Sequence, residues 1–393
     1  MHICFIEDTH LHGGTQIWVS EAIRHYLACG QDVTIWVSEA IRHYLACGQD
    51  VTLLAPENSW IVEQCLNTNA RIVTYDWDKV TTQTPKYQAI WANALQPCDV
   101  SICTVHPPRN KFHCVVFASK CIKENALKTH LIAKTGTIVP TYQREFYIPD
   151  NSNQFSVIAI AAFTKQYLTD IYQIPSNKVK LIYQGVDVQR FQSTPKGRTK
   201  SRMRYQLPKD AKPILGCIGS LEHRKGQSIL FEAVAQLVLG EYPNIHLMVV
   251  GDGPDEADLK SLVKSMGIEN HVSFFPFTKN PEFVYERVNI IVLPSIEKEG
   301  LPNVLLESMS MAVPVISSNL GGTPEVIING KTGYLVSPGD SAQLSQTIST
   351  LWHNQSAYQE MCINASSFIR TGFNKKQQFS EFLDYFQKVK NNL

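Results

Sequence analysis

The stretch from Asn289 to Ile316 leaves little freedom in how it can fold. Asn289-Ile290-Ile291-Val292-Leu293 is an apolar run of the buried-strand kind, and Val313 to Ile316 begins another. Between them Pro302 stands where a first helical residue belongs, and a helix to about Met311 follows. Strand, loop, helix and strand in that order belong to an α/β chain. One carboxylate, Glu299, lies in the loop ahead of the helix, and another, Glu307, lies about a turn and a half inside it. Ligands of doubly wound sheets bind where strands end and helices begin. Two acids flanking that point can accept hydrogen bonds from sugar hydroxyls while the helix end faces an anion. An isolated pair also has a structural reading, because acids near a helix N-terminus complement its dipole.

The same half carries a second loop of this type. Ile214 to Ile218 is a short apolar run, followed by Gly219-Ser220-Leu221-Glu222-His223-Arg224-Lys225-Gly226 and a helix from about Gln227. A glycine-containing turn into a helix N-terminus, with adjacent cations, suits a diphosphate. A solvated turn with surface cations is the alternative. Val249-Val250-Gly251-Asp252-Gly253-Pro254 invites a dinucleotide reading, but no third glycine and no fingerprint spacing follow.

Taken together, Ser295-Ile296-Glu297-Lys298-Glu299-Gly300-Leu301-Pro302, the Val-Pro-Val-Ile strand, Gly321-Gly322-Thr323-Pro324-Glu325 and Lys331-Thr332-Gly333-Tyr334 resemble the retaining GT-B glycosyltransferases with a Glu-x7-Glu motif, the group 1, family 4 type. The resemblance is strongest from 214 to 340. It implies two Rossmann-like doubly wound parallel-sheet domains facing a cleft. It further implies a hexosyltransferase that moves a sugar from a nucleotide-diphosphate donor to a saccharide or lipid-linked acceptor, with retention of configuration. Polysaccharide or glycolipid synthesis is the setting it suggests.

By the same resemblance Glu299 meets the donor sugar, Glu307 the ribose, and Lys225 the phosphates. Gly300, Leu301, Asn303 and Gly253 line the donor, with Phe277 beside the base. Gly13 and Gly14 let backbone approach the phosphate, with a plain tight turn as the alternative. His106, after the Val100 to Val105 run, is placed to touch substrate. Two departures stand out. Ser220 replaces the family's phosphate-binding Arg, with Arg224 as a nearby substitute, and Lys134-Thr135-Gly136-Thr137 replaces a Thr-x-His segment. A glycosidase, an epimerase of sugar nucleotides and an inactive donor-binding protein are the rival readings.

The expected organisation is an acceptor domain over 1–192, a linker over 193–204, a donor domain over 205–372, and a final helix over 373–393 crossing back to the first domain. The 393 residues are 44% apolar with a formal net charge of +1, which implies no nucleic-acid partner. The chain opens directly on a strand-like run with no secretory pattern, and no apolar run approaches a membrane span, so a cytoplasmic protein is expected. Its 10 cysteines contain no Cys-x2-Cys pair, and reduced, buried thiols are expected. No Asp-x-Asp signature is apparent near a strand end, so no metal and no cofactor beyond the donor substrate are expected. Residues 109–134 hold six Lys or Arg against one Glu. That surface can rest on the inner face of an anionic membrane, or be a solvated helix face.

One oddity remains. Ile17 to Thr34 is repeated without a change as Ile35 to Thr52. Such identity over 18 residues points to a recent in-frame duplication or an assembly error rather than an old structural repeat. Gly30, Asp32 and the β-branched Val33-Thr34-Ile35 argue against one fused helix. The first copy is therefore expected to form the first helix. Residues from about Asp32 to Gln49 are expected to be surplus, leaving Trp36, Ile41 and Tyr44 partly exposed.

Overall fold

The computed structural model describes residues 1–8, 37–105, 108–136, 142–150, 152–297 and 299–391. Its contacts divide into two units, Met1–Tyr183 with Gln378–Leu393, and Gln184–Gln377. The first holds strands β1 (His2–Ile6), β2 (Asp50–Pro56), β3 (Arg71–Tyr75), β4 (Val100–Thr104), β5 (His130–Lys134), β6 (Phe155–Ala159) and β7 (Val179–Leu181). They form one parallel sheet in the order β3-β2-β1-β4-β5-β6-β7. The second holds β8 (Ile214–Ile218), β9 (His246–Val250), β10 (Val272–Phe275), β11 (Ile290–Leu293), β12 (Val315–Ser318) and β13 (Tyr334–Val336). These too are parallel, in the order β10-β9-β8-β11-β12-β13.

Both faces of each sheet are covered, as parallel sheets require. Side chains alternate across β1, with Ile3 and Phe5 on one face and Cys4 and Ile6 on the other. Trp91 and Phe117, from the helices Pro85–Leu95 and Cys114–Glu124, fill the second face. The first face is closed by the helix over 37–46 and by Phe379, Phe382, Phe386 and Val389 of the helix Lys375–Lys390. Tyr44 stands at that junction, its hydroxyl donating to the Phe379 carbonyl at 3.1 Å and its ring 5.9 Å from that of Phe386.

This packing overturns one expectation. Ile41 and Tyr44, expected to be surplus and partly exposed, are fully buried beside Phe5. The second copy of the repeat supplies both the helix over 37–46 and, after a three-residue turn, the start of β2. Adjacency explains it. Two identical copies bring identical apolar faces, so connectivity decides, and only the second copy runs straight into the strand. Trp36 and the whole of the first copy lie outside the described residues. Removing either copy yields the same chain, and the remaining copy can occupy the same place. That deletion is expected to keep one cooperative unfolding transition at or above the parent's melting temperature, with donor affinity unchanged. Thermal unfolding and a donor titration check both.

Residues 193–204, expected as a linker, contain a helix, Pro195–Arg204. Thr194 caps it by accepting from the Gly197 N–H at 3.0 Å, Pro195 takes its first position, and Ser201 is buried. An Asp-x-Asp tripeptide does stand at a strand end, because Asp76-Trp77-Asp78 follows β3. Asp76 is spent on local structure: it accepts from the N–H groups of Asp78 and Lys79 and pairs with the Lys79 ammonium at 2.9 Å.

Two core histidines are expected to make the fold acid-sensitive. Burial pushes His130 and His246 down to about 4, and each ring lies against a serine hydroxyl, Ser156 at 2.8 Å and Ser273 at 2.9 Å. A folded-state pKa below the unfolded value means that the unfolded chain takes up the proton first. Stability is therefore lost as pH falls from about 6.5 to about 4, on the order of 2–3 kcal/mol for each histidine. Urea unfolding at several pH values should show that slope, and His130→Gln with His246→Gln should flatten it.

Candidate active site

In the second sheet the chain order reverses between β8 and β11, so the loops leaving those strands flank the crevice where α/β sheets bind ligands. The β8 loop ends in the short turn His223–Lys225, and the helix Gln227–Leu239 starts after Gly226. The β11 loop runs from Pro294 to Pro302, ahead of the helix Asn303–Ser310. Pro302, expected as the first helical residue, lies just outside the helix, since its ψ of 122° is extended.

The two loops are joined through backbone. The Ile296 N–H donates to the Arg224 carbonyl at 2.8 Å. Gly226 has φ +66°, and a Cβ there would sit 2.1 Å from the Pro294 carbonyl oxygen, so only glycine permits this approach. Gly253 is constrained likewise, because its Cβ would fall 2.2 Å from the Leu221 oxygen. Its place in the fold is explained by that close contact.

The joined loops bring Lys225 and Glu299 together across 74 residues of sequence. Oε1 of Glu299 accepts from Nζ of Lys225 at 2.6 Å and from Oγ of Ser295 at 2.5 Å. Arg224 Nη1 stands 4.0 Å from the same oxygen, and its Nη2 pairs with Glu222 at 2.7 Å. Side-chain exposure is 14% for Lys225 and 5% for Glu299, which makes this a buried pair, held by added hydrogen bonds. Ser220, in the place of an expected arginine, donates its hydroxyl to Glu222 and accepts at its carbonyl from Gln227 Nε2 at 2.8 Å. Glu222 thus links the substituted position to Arg224.

Glu307 lies within the helix Asn303–Ser310, and its Oε2 accepts from the Tyr285 hydroxyl at 2.7 Å. Asn303 opens that helix, Leu301 is buried, and the Gly300 carbonyl accepts from the Gly322 N–H at 2.9 Å. Phe277 is half-buried, and its N–H donates to Asp252 Oδ1 at 3.1 Å, tying the end of β9 to the loop after β10. His106, Gly13 and Gly14 lie outside the described residues. Ser295, Glu222 and Tyr285 were not singled out from the sequence. Each acts through a partner distant in sequence or through a substitution, and only the Ser220 departure hinted at Glu222.

With this geometry in view, the chain can be compared with known proteins. Residues 199–368 match the family model for glycosyl transferases group 1. Over 186 residues the chain is 31% identical to a GDP-mannose-dependent alpha-(1-6)-phosphatidylinositol monomannoside mannosyltransferase of Mycolicibacterium smegmatis, covering 45% of this chain and 48% of that one. Over 193 residues it is 30% identical to spore coat protein SA of Bacillus subtilis, covering 46% and 50%. The chain thus spans about half the length of the curated relatives it matches. Among solved structures, Anabaena HepE in complex with UDP superposes with a TM-score of 0.80 at 17% identity, over 99% of this chain and 100% of that one. A glycosyltransferase from Rickettsia africae gives 0.79 at 18%, over 100% and 99%. At such identity the shared property is the fold, GT-B, with two Rossmann-like parallel-sheet domains. The segment that matches the family model includes Lys225, Glu299 and Glu307.

Proposed function

We propose that the protein is a retaining glycosyltransferase of the hexosyltransferase kind, which moves a sugar from a nucleoside-diphosphate donor to a saccharide or lipid-linked acceptor. The observation that carries this reading is the Lys225–Glu299 pair at the switch point of the second sheet, within the segment that matches the family. The names of the relatives agree with a nucleotide-sugar donor, GDP-mannose in one and UDP in a solved structure.

In this reading Glu307 accepts hydrogen bonds from the ribose, and Glu299 meets the sugar. The diphosphate lies against the Gly219–Gly226 turn and the N-terminus of the helix Gln227–Leu239. The bond from the anomeric carbon to the diphosphate oxygen breaks, and the acceptor oxygen bonds the same carbon on the same face. The acceptor proton passes to the departing phosphate. Negative charge grows on that phosphate, so Lys225, Arg224 and the helix dipole stabilise the transition state more than the bound donor. A diphosphate must also draw Lys225 away from Glu299, which frees that carboxylate for a sugar hydroxyl.

Gly13, Gly14 and His106 retain their proposed places, at the phosphate and at the acceptor. A first domain for the acceptor, a second for the donor and a cytoplasmic setting belong to the same proposal. No helix among the described residues is long and apolar enough to cross a membrane. Stabilisation by a panel of UDP-, GDP- and ADP-sugars tests the donor class. A panel in which no nucleotide sugar shifts the melting transition would sink the reading.

A further inference from the structure

The helix Pro195–Arg204 carries five cations in ten residues and no acid. At about 100° per residue, Gly197 and Ser201 share one side of it. That side faces the protein: the Ser201 hydroxyl donates to the Phe283 carbonyl at 2.5 Å, and Gly197 lies against the Glu286 carboxylate. Thr199 and Met203 fall opposite, and Met203 is 75% exposed. The cations form two flanking rows, Lys196, Lys200 and Arg204 on one side of this crest and Arg198 and Arg202 on the other, all exposed. Among the described residues none of the five makes an ion pair. Glu286, the acid beside Gly197, is already engaged by the Thr194 N–H at 2.7 Å and the Ser193 hydroxyl at 2.8 Å.

We infer that this helix is a docking surface for an anionic lipid bilayer. Two rows of cations beside the exposed Met203 match a plane of anionic headgroups, with Met203 entering the interface and the cations level with the phosphates. A nucleic acid is matched less well, because no aromatic side chain stands on the outward face to stack a base. The basic stretch over 109–134 is a poorer platform. Arg109 pairs with Asp8 at 2.7 Å, Lys123 with Asp150 at 2.5 Å and Lys120 with Glu124 at 3.9 Å, and Lys134 is buried. The inference stands on the helix alone and is independent of the proposed reaction.

Co-sedimentation of the full chain with vesicles tests it. Binding is expected to phosphatidylcholine vesicles containing about 30 mol % phosphatidylglycerol, not to phosphatidylcholine alone, and to weaken between about 0.1 M and about 1 M salt. Lys196→Gln, Lys200→Gln and Arg204→Gln together should lower partitioning by about 100-fold, at roughly fivefold per charge. Arg198→Gln with Arg202→Gln should lower it by about 25-fold on the same scale. Neither set should move the melting temperature, and Lys120→Gln with Lys123→Gln should leave partitioning unchanged. Equal binding to neutral vesicles, no binding to anionic ones, or a defect confined to the Lys120 and Lys123 variant would overturn the proposal. So would tight binding of an oligonucleotide with none to vesicles, which would make the helix a nucleic-acid site.

Discussion

Lys225→Ala is expected to lower turnover by about 10²–10³ while changing donor affinity by less than about tenfold. The asymmetry follows from what the ammonium does in each state. It is bonded to Glu299 at 2.6 Å, so binding a ground-state donor exchanges one anionic partner for another. As the sugar–phosphate bond breaks, charge builds on the diphosphate and the attraction grows. Only the second part of that interaction accelerates the reaction. Arg224→Ala should give a smaller defect in the same direction, because its guanidinium is held back by Glu222. Steady-state kinetics with separate donor titrations resolve turnover from affinity. If Arg224→Ala is silent, this residue does not compensate for Ser220.

Glu307→Ala is expected to act on the other quantity. Two charge-assisted hydrogen bonds to the ribose would be lost, weakening donor binding by roughly 2–4 kcal/mol. The Tyr285 hydroxyl, on a residue 1% exposed, donates to this carboxylate and fixes its direction. Tyr285→Phe should therefore cost about 1 kcal/mol of donor affinity by letting Glu307 drift. Calorimetric titration with the nucleoside diphosphate alone isolates the ribose contribution. Unchanged affinity in a folded Glu307→Ala variant would remove Glu307 from that role.

Much of this architecture was legible because short apolar runs in parallel sheets carry little ambiguity. Ile214 to Ile218 reads as a strand and is one, and the run ending at Leu293 differs from β11 by a single residue. Lys225 and Glu299 could each be singled out from local motifs. Their contact could not be read from spacing, since it depends on Gly226 admitting the Pro294 carbonyl. The helix Pro195–Arg204 went unread because no apolar stripe marks it. Its start signals, Thr194 as cap and Pro195 behind it, were nevertheless present. The burial of Ile41 and Tyr44 in the second copy was misjudged for a different reason. Identical copies give no residue-level basis for choosing between them, and the short path into β2 settles the matter in the folded chain.

The reaction itself is the most direct test. Incubation with a stabilising nucleotide sugar and a panel of saccharide and lipid-linked acceptors, followed by proton NMR, reports both transfer and stereochemistry. The expected result is acceptor-dependent release of the nucleoside diphosphate, with the new glycosidic bond in the anomeric configuration of the donor and the signal lost in Lys225→Ala. Inverted product, free sugar released without transfer, or epimerised nucleotide sugar formed without any acceptor would contradict a retaining transferase.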